Sequence, residues 1–135
     1  MKPNQRMVYK VLSPRRESVI SMWAVLKEDN KHIFKYLFNK TVKPKIGKIF
    51  VFDNIKNAAN YKDSLMKLNS ILKNCKQPLK IVKAIATNPK KTNKCAGFYG
   101  LALSKSIVGF WKALNGPIIS TPKGTLICDS LKCLE

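Results

Sequence analysis

Pro44-Lys45-Ile46-Gly47-Lys48-Ile49-Phe50-Val51-Phe52-Asp53 is the stretch from which the fold is read. Proline fixes φ and Gly47 permits a positive one, so the first four residues form a turn. Ile49-Phe50-Val51-Phe52 is β-branched and aromatic, the composition of a strand buried on at least one face. Asp53 or Asn54 then offers a side-chain oxygen to the free amides of a helix start. Behind it Ile55, Ala58, Ala59, Leu65, Leu68 and Leu72 recur at helical spacing, with Lys56, Lys62, Asp63 and Lys67 between them. A strand running into an amphipathic helix over residues 54–72 is the expected framework of the core.

Outward from that framework, residues 6–12 have strand composition, and Pro14 ends the strand at a basic turn, Ser13-Pro14-Arg15-Arg16-Glu17. Residues 18–26 read as a second strand, hairpin-joined to the first, and 33–38 as a third. Residues 80–87 form a further strand, whose start could reach back to 70–76. Asn88-Pro89-Lys90-Lys91-Thr92-Asn93-Lys94 reads as an exposed basic loop. In 101–114, Leu103, Ile107, Phe110, Trp111 and Leu114 fit one helix face, with Ser104 as a cap and Asn115-Gly116-Pro117 as a stop. Gly109 and Ile107-Val108 argue against that helix. A turn at 121–124 leads into a closing strand over 125–134. Strands and helices do not alternate regularly. The expectation is a single α+β domain over residues 1–135, a curved, mainly antiparallel sheet packed by one principal amphipathic helix.

Three islands carry a resemblance: Val8-Tyr9-Lys10-Val11, then Pro44-x-x-Gly47-x-Ile49-Phe50-Val51-Phe52-Asp53 with Ala58 and Ala59, then Pro122-Lys123-Gly124-Thr125. Together they resemble a loose set of small, functionally uncharacterised viral, phage and bacterial proteins. The resemblance implies a common fold and a viral origin; residues 88–116 fall outside it, and it carries no catalytic residue.

Charge is the most unusual feature. The chain holds 26 basic and 7 acidic residues, for a net charge of +19. Such a field attracts polyanions: nucleic acid, an anionic surface or an acidic protein. Among the basic residues only Arg6, Arg15 and Arg16 are arginine. Codon bias in an A+T-rich genome favours lysine over arginine, but it explains the scarcity of Asp and Glu less well. Lysine is a mobile point charge, whereas arginine reads guanine edges with a planar fork. Phosphate-directed binding of nucleic acid with little sequence specificity is therefore expected.

The residues singled out for that interface are Arg15 and Arg16 in the first hairpin, Lys43, Lys45 and Lys48 around the second turn, and Lys90, Lys91 and Lys94 in the basic loop. Phe98 and Tyr99 follow that loop as candidate stacking platforms, since phosphate contacts beside aromatics suit sequence-tolerant single-strand binding. Core packing of the same two rings is the bland alternative. Gly97-Phe98-Tyr99-Gly100 formally matches the G-x-x-G of KH domains, without their helical context.

Enzymatic signals are thin. The chain has no phosphate-cradling or dinucleotide glycine motif and no nucleophile elbow. Glu28, Asp29 and His32 lie close in sequence, but in a polar turn such a trio is solvated surface far more often than an acid–base pair. Cys75, Cys95, Cys128 and Cys133 are not arranged as close C-x-x-C pairs, and His32 is the single histidine, so neither a zinc site nor another cofactor is expected. The cysteines read as small buried residues of a reduced, intracellular or virion protein; the N-terminus does not read as a signal peptide, and no apolar run is long enough to span a membrane. The alternative to nucleic-acid binding is an interaction module, either a component of a viral assembly or an inhibitor docking on an acidic protein. A more distant alternative is an enzyme whose strand–turn–strand–helix passage resembles the ADP-ribosyltransferase architecture, though without its catalytic triad.

Overall fold

A computed structural model describes residues 1–17, 35–44, 48–72, 79–92 and 123–135, the side chains of 65 and 68–72 excepted. Among the described residues seven strands and one helix follow in the order β1 (Gln5–Leu12), β2 (Thr41–Val42), β3 (Ile49–Phe52), α1 (Ile55–Leu72), β4 (Lys80–Thr87), β5 (Lys90–Lys91), β6 (Thr125–Cys128) and β7 (Ser130–Cys133). Every pairing between these strands is antiparallel, so the described residues form an α+β arrangement, a mostly antiparallel sheet with one helix.

The pairings close into a ring. Strand order is β2-β7-β4-β1-β3-β6-β5. Asp129 alone separates β6 from β7, yet β6 pairs with β3 and β7 with β4. On one side of this long stretch, β4 and β5 continue in a single register, Thr87 opposite Ser130 and Lys90 opposite Ile127. On its other side lie β2, with Val42 opposite Leu131, and β3, with Ile49 opposite Cys128. β1 joins the two flanks through its full-length ladder with β4 and the single pair Tyr9–Phe52 with β3.

Alternation sorts the side chains onto two faces. Val8 and Leu12 of β1, Ile49 and Val51 of β3, Val82, Ala84 and Ala86 of β4, Leu126 and Cys128 of β6, and Leu131 and Cys133 of β7 fill the inner cluster, with Tyr36. Val11, Phe52, Ala58 and Leu79 form a second cluster on the outer face, joined by Tyr9, Tyr61, Met66 and Ile81. There α1 covers the sheet. The Phe52 and Tyr61 rings pack in a tilted arrangement, centroids 4.9 Å apart and planes at 37°. The helix begins where the sequence places it: Asn54 Oδ1 accepts from the Asn57 amide at 2.9 Å. Ile55, expected on the buried face, is instead exposed; it belongs to the first turn, and Ala58, Tyr61 and Met66 carry the contact.

Several expectations are corrected. Within residues 35–38 of the anticipated third strand only isolated bridges form, Glu17 with Lys35 and Phe38 with Cys133. Residues 70–72 belong to α1, which excludes them from the β4 strand. The closing strand over 125–134 is broken at Asp129. Residues 18–26 and 101–114 lie outside the described residues.

The three resembling islands meet in space. Tyr9 lies opposite Phe52, Phe52 lies opposite Thr125, and the Asp53 amide donates to the Gly124 carbonyl at 3.0 Å. Asn57 Nδ2 donates to Asp53 Oδ1 at 2.8 Å. Gly124 sits over this pair at φ 82°, where an added Cβ would stand 2.3 Å from Asn57 Nδ2 and 2.4 Å from Asp53 Oδ1. Only glycine fits there.

Candidate anion-binding cleft

At one end of the ring the β4–β5 stretch bends. Asn88 takes the left-handed conformation at φ 54°, and Pro89 has no N–H to donate to a ladder. The bend is tied from both sides. The Asn88 amide donates to the Asn4 carbonyl at 2.8 Å, and the Asp129 amide donates to the Thr87 carbonyl at 2.9 Å. Gln5 Nε2 donates to Thr87 Oγ1 at 3.3 Å, which fastens the start of β1 to the same corner.

These ties form an open cleft of about 490 Å³ lined by Pro3, Asn4, Gln5, Arg6, Asn88, Pro89, Lys90 and Asp129. Arg6 has the inward parity of Val8 and stands at the mouth of the ring interior. Asp129, at the break between β6 and β7, forms an ion pair with Lys48 and accepts from Asn88 Nδ2 at 2.8 Å. The Lys48 hydrogen bond first, then that of Asn88, holds the Asp129 carboxyl below the usual carboxylate range, and Lys90 adds to the effect. Arg6 and Lys90 line the cleft with Asp129, and Lys48 pairs with that carboxylate, so the cations outnumber the one negative charge.

Of the anticipated interface residues, Lys48 and Lys90 come together here, although 41 residues separate Lys90's neighbour Asn88 from Asp129 and 81 separate Lys48 from it. Lys90 and Lys91 are not in a loop. They form edge strand β5 against β6, with exposed side chains, because the β4 register resumes after Pro89. Arg15 is exposed in the turn at the far end of β1, roughly 25 Å along the strand from Arg6. Arg16 is committed to the fold: Nε donates to the Tyr36 carbonyl at 2.6 Å and Nη2 to the Glu135 carbonyl at 2.5 Å. Lys43 is exposed beyond β2. Lys45, Lys94, Phe98 and Tyr99 lie outside the described residues. Arg6, Asn88 and Asp129 escaped the sequence reading. Asn88-Pro89 announced a bend, but nothing local announced that Lys48 would meet Asp129.

A second polar group lies inside the ring. Lys10 is 8% exposed. Its Nζ donates to the Phe50 carbonyl at 2.7 Å, near the thinly paired β1–β3 seam, and lies 5.4 Å from the Tyr36 ring centroid. Burial lowers its pKa to about 8, against the field of Cys128 and Cys133, which raises it. Burial also pushes the Cys128 thiol up to about 12 and raises Tyr36 and Cys133. Both thiols are free and buried, which suits packing rather than attack on a substrate. Among the described residues no group of three or more His, Cys, Asp or Glu side chains could hold a metal ion, and no helix is long and apolar enough to cross a membrane.

Compared with known proteins, the chain matches no family model, no curated sequence and no solved structure.

Proposed function

We propose that this is a basic, non-enzymatic protein that binds nucleic acid through phosphate contacts with little sequence specificity, and that the cleft at Asp129 is the centre of its interface. The observation that carries this reading is that Arg6 and Lys90 line a concave site whose Asp129 pairs with Lys48, on a chain of net charge +19. Lysines supply attraction without a base code, and the exposed Lys91 of β5 extends the positive edge beside the cleft. The test is fluorescence-anisotropy binding to single- and double-stranded DNA and RNA. Arg6→Ala/Lys90→Ala is expected to weaken binding to every polymer by a similar factor, about tenfold at low salt. Binding unaffected by that pair of substitutions would remove the cleft from the interface.

One observation favours a second reading. Leu37 and Phe38 are adjacent and 46% and 63% exposed. An apolar step on so charged a chain suits docking on another protein, as in an assembly component or an inhibitor of an acidic partner. In that case Phe38→Ser abolishes partner capture and leaves nucleic-acid affinity unchanged.

A further inference from the structure

The cleft holds more than cations. Phosphate binding alone is best served by uniform positive charge, yet Asp129 lines the cleft with Arg6 and Lys90, paired with Lys48 and with its side chain 32% exposed. A carboxylate offers about four acceptor positions. Lys48 takes one at Oδ1 and Asn88 one at Oδ2, which fixes the carboxylate without exhausting it. Asn4, Gln5 and Asn88 supply further amide groups along the same wall, and the cleft volume of about 490 Å³ lies in the range of small-ligand sites. Arg6, Lys90 and Asp129 share one concavity. That geometry suits one nucleotide unit better than a length of backbone.

We infer that the cleft seats a ribonucleotide, with Arg6 and Lys90 on its phosphate and Asp129 accepting a hydrogen bond from a ribose hydroxyl. The ribose 2′-hydroxyl is a donor whose hydrogen bond a fixed carboxylate can accept, and it is the group that separates RNA from DNA. The inference rests on reading the cleft as the nucleic-acid-binding face and adds the discrimination that lysines alone lack.

The test is competition against a labelled single-stranded RNA at low salt, using AMP, dAMP and inorganic phosphate, with wild type and Asp129→Asn. AMP is expected to compete roughly tenfold better than dAMP, the yield of one hydrogen bond to a charged acceptor. In Asp129→Asn, which keeps the shape and removes the charge, the AMP-to-dAMP ratio should fall towards one while phosphate still competes. RNA bound more tightly than AMP assigns the site to a chain, and the reverse to a free nucleotide; either keeps the ribonucleotide. Equal competition by AMP, dAMP and phosphate overturns the inference. So does failure of AMP to compete while RNA still binds, an outcome that leaves the nucleic-acid reading standing. If RNA itself does not bind, both fail.

Discussion

Gly124 and Lys10 each hold a position that the surrounding fold dictates. At Gly124 a methyl group would meet Asn57 and Asp53 well inside contact distance, on a backbone with φ 82°. Gly124→Ala should therefore destabilise the protein by about 1–3 kcal/mol in urea denaturation, from left-handed strain and displaced polar partners, whereas Lys123→Ala next to it should change little. Lys10 supplies a pH signature. Its folded pKa, about 8, lies below its ordinary value of 10.5, so between these limits the unfolded chain binds more protons and stability rises with pH. Cys128, raised from 9.0 to about 12, acts oppositely above pH 9. Relative to Lys10→Met, wild type should gain up to about 1.4 kcal/mol per pH unit between pH 8 and 10.5. A flat difference across that window would mean that Lys10 is solvated. Asp129 works at the acid end. Its depressed pKa adds stability above the ordinary carboxylate value, lost as pH falls through the folded value. Asp129→Asn should be less stable than wild type at pH 7, and the difference should shrink as pH falls through the folded value, followed by circular dichroism.

At the scale of elements, α1 begins under local control and is held by its contacts. Asn54 caps it, its first turn has no acidic residue, and its last turn has no basic one. Asn54→Ala should cost about 1 kcal/mol, and Lys56→Glu should stabilise by roughly 0.3–1 kcal/mol by placing a negative charge at the positive end of the helix dipole; thermal unfolding reads both. The elements most legible in the sequence were β1, β3, α1 and β4, where apolar periodicity and punctuation agree. The division of labour along 125–134 was not legible. Cys128 and Leu131 are both buried, and the break between them depends on partners far away in sequence: β3 for one half, β4 for the other. β5 was misread for a related reason. Asn-Pro-Lys-Lys has loop composition, and only the β4 register carried past Pro89 makes it an edge strand.

Across the whole molecule, the ring brings chain-distant residues to one corner. Lys48, the bend carrying Asn88 and Lys90, and Asp129 come from three separate places, and only closure of the strands makes them neighbours. Sequence could nominate Lys48 and Lys90 by charge, but it gave no reason to separate them from Arg16, which the fold spends on carbonyl contacts. If the cleft, rather than the charge at large, contacts phosphate, the lost contacts are countable. The most direct measurement is the salt dependence of affinity for single-stranded RNA in wild type, in Arg6→Ala/Lys90→Ala and in Lys56→Ala/Lys67→Ala, whose lysines are exposed on α1. Each lost phosphate contact lowers the log–log slope by about 0.7. A slope shallower by about 1.4 is expected for the cleft pair and an unchanged slope for the helix pair. Equal slopes for the two pairs would contradict it, making the +19 charge a diffuse field with no site at Asp129.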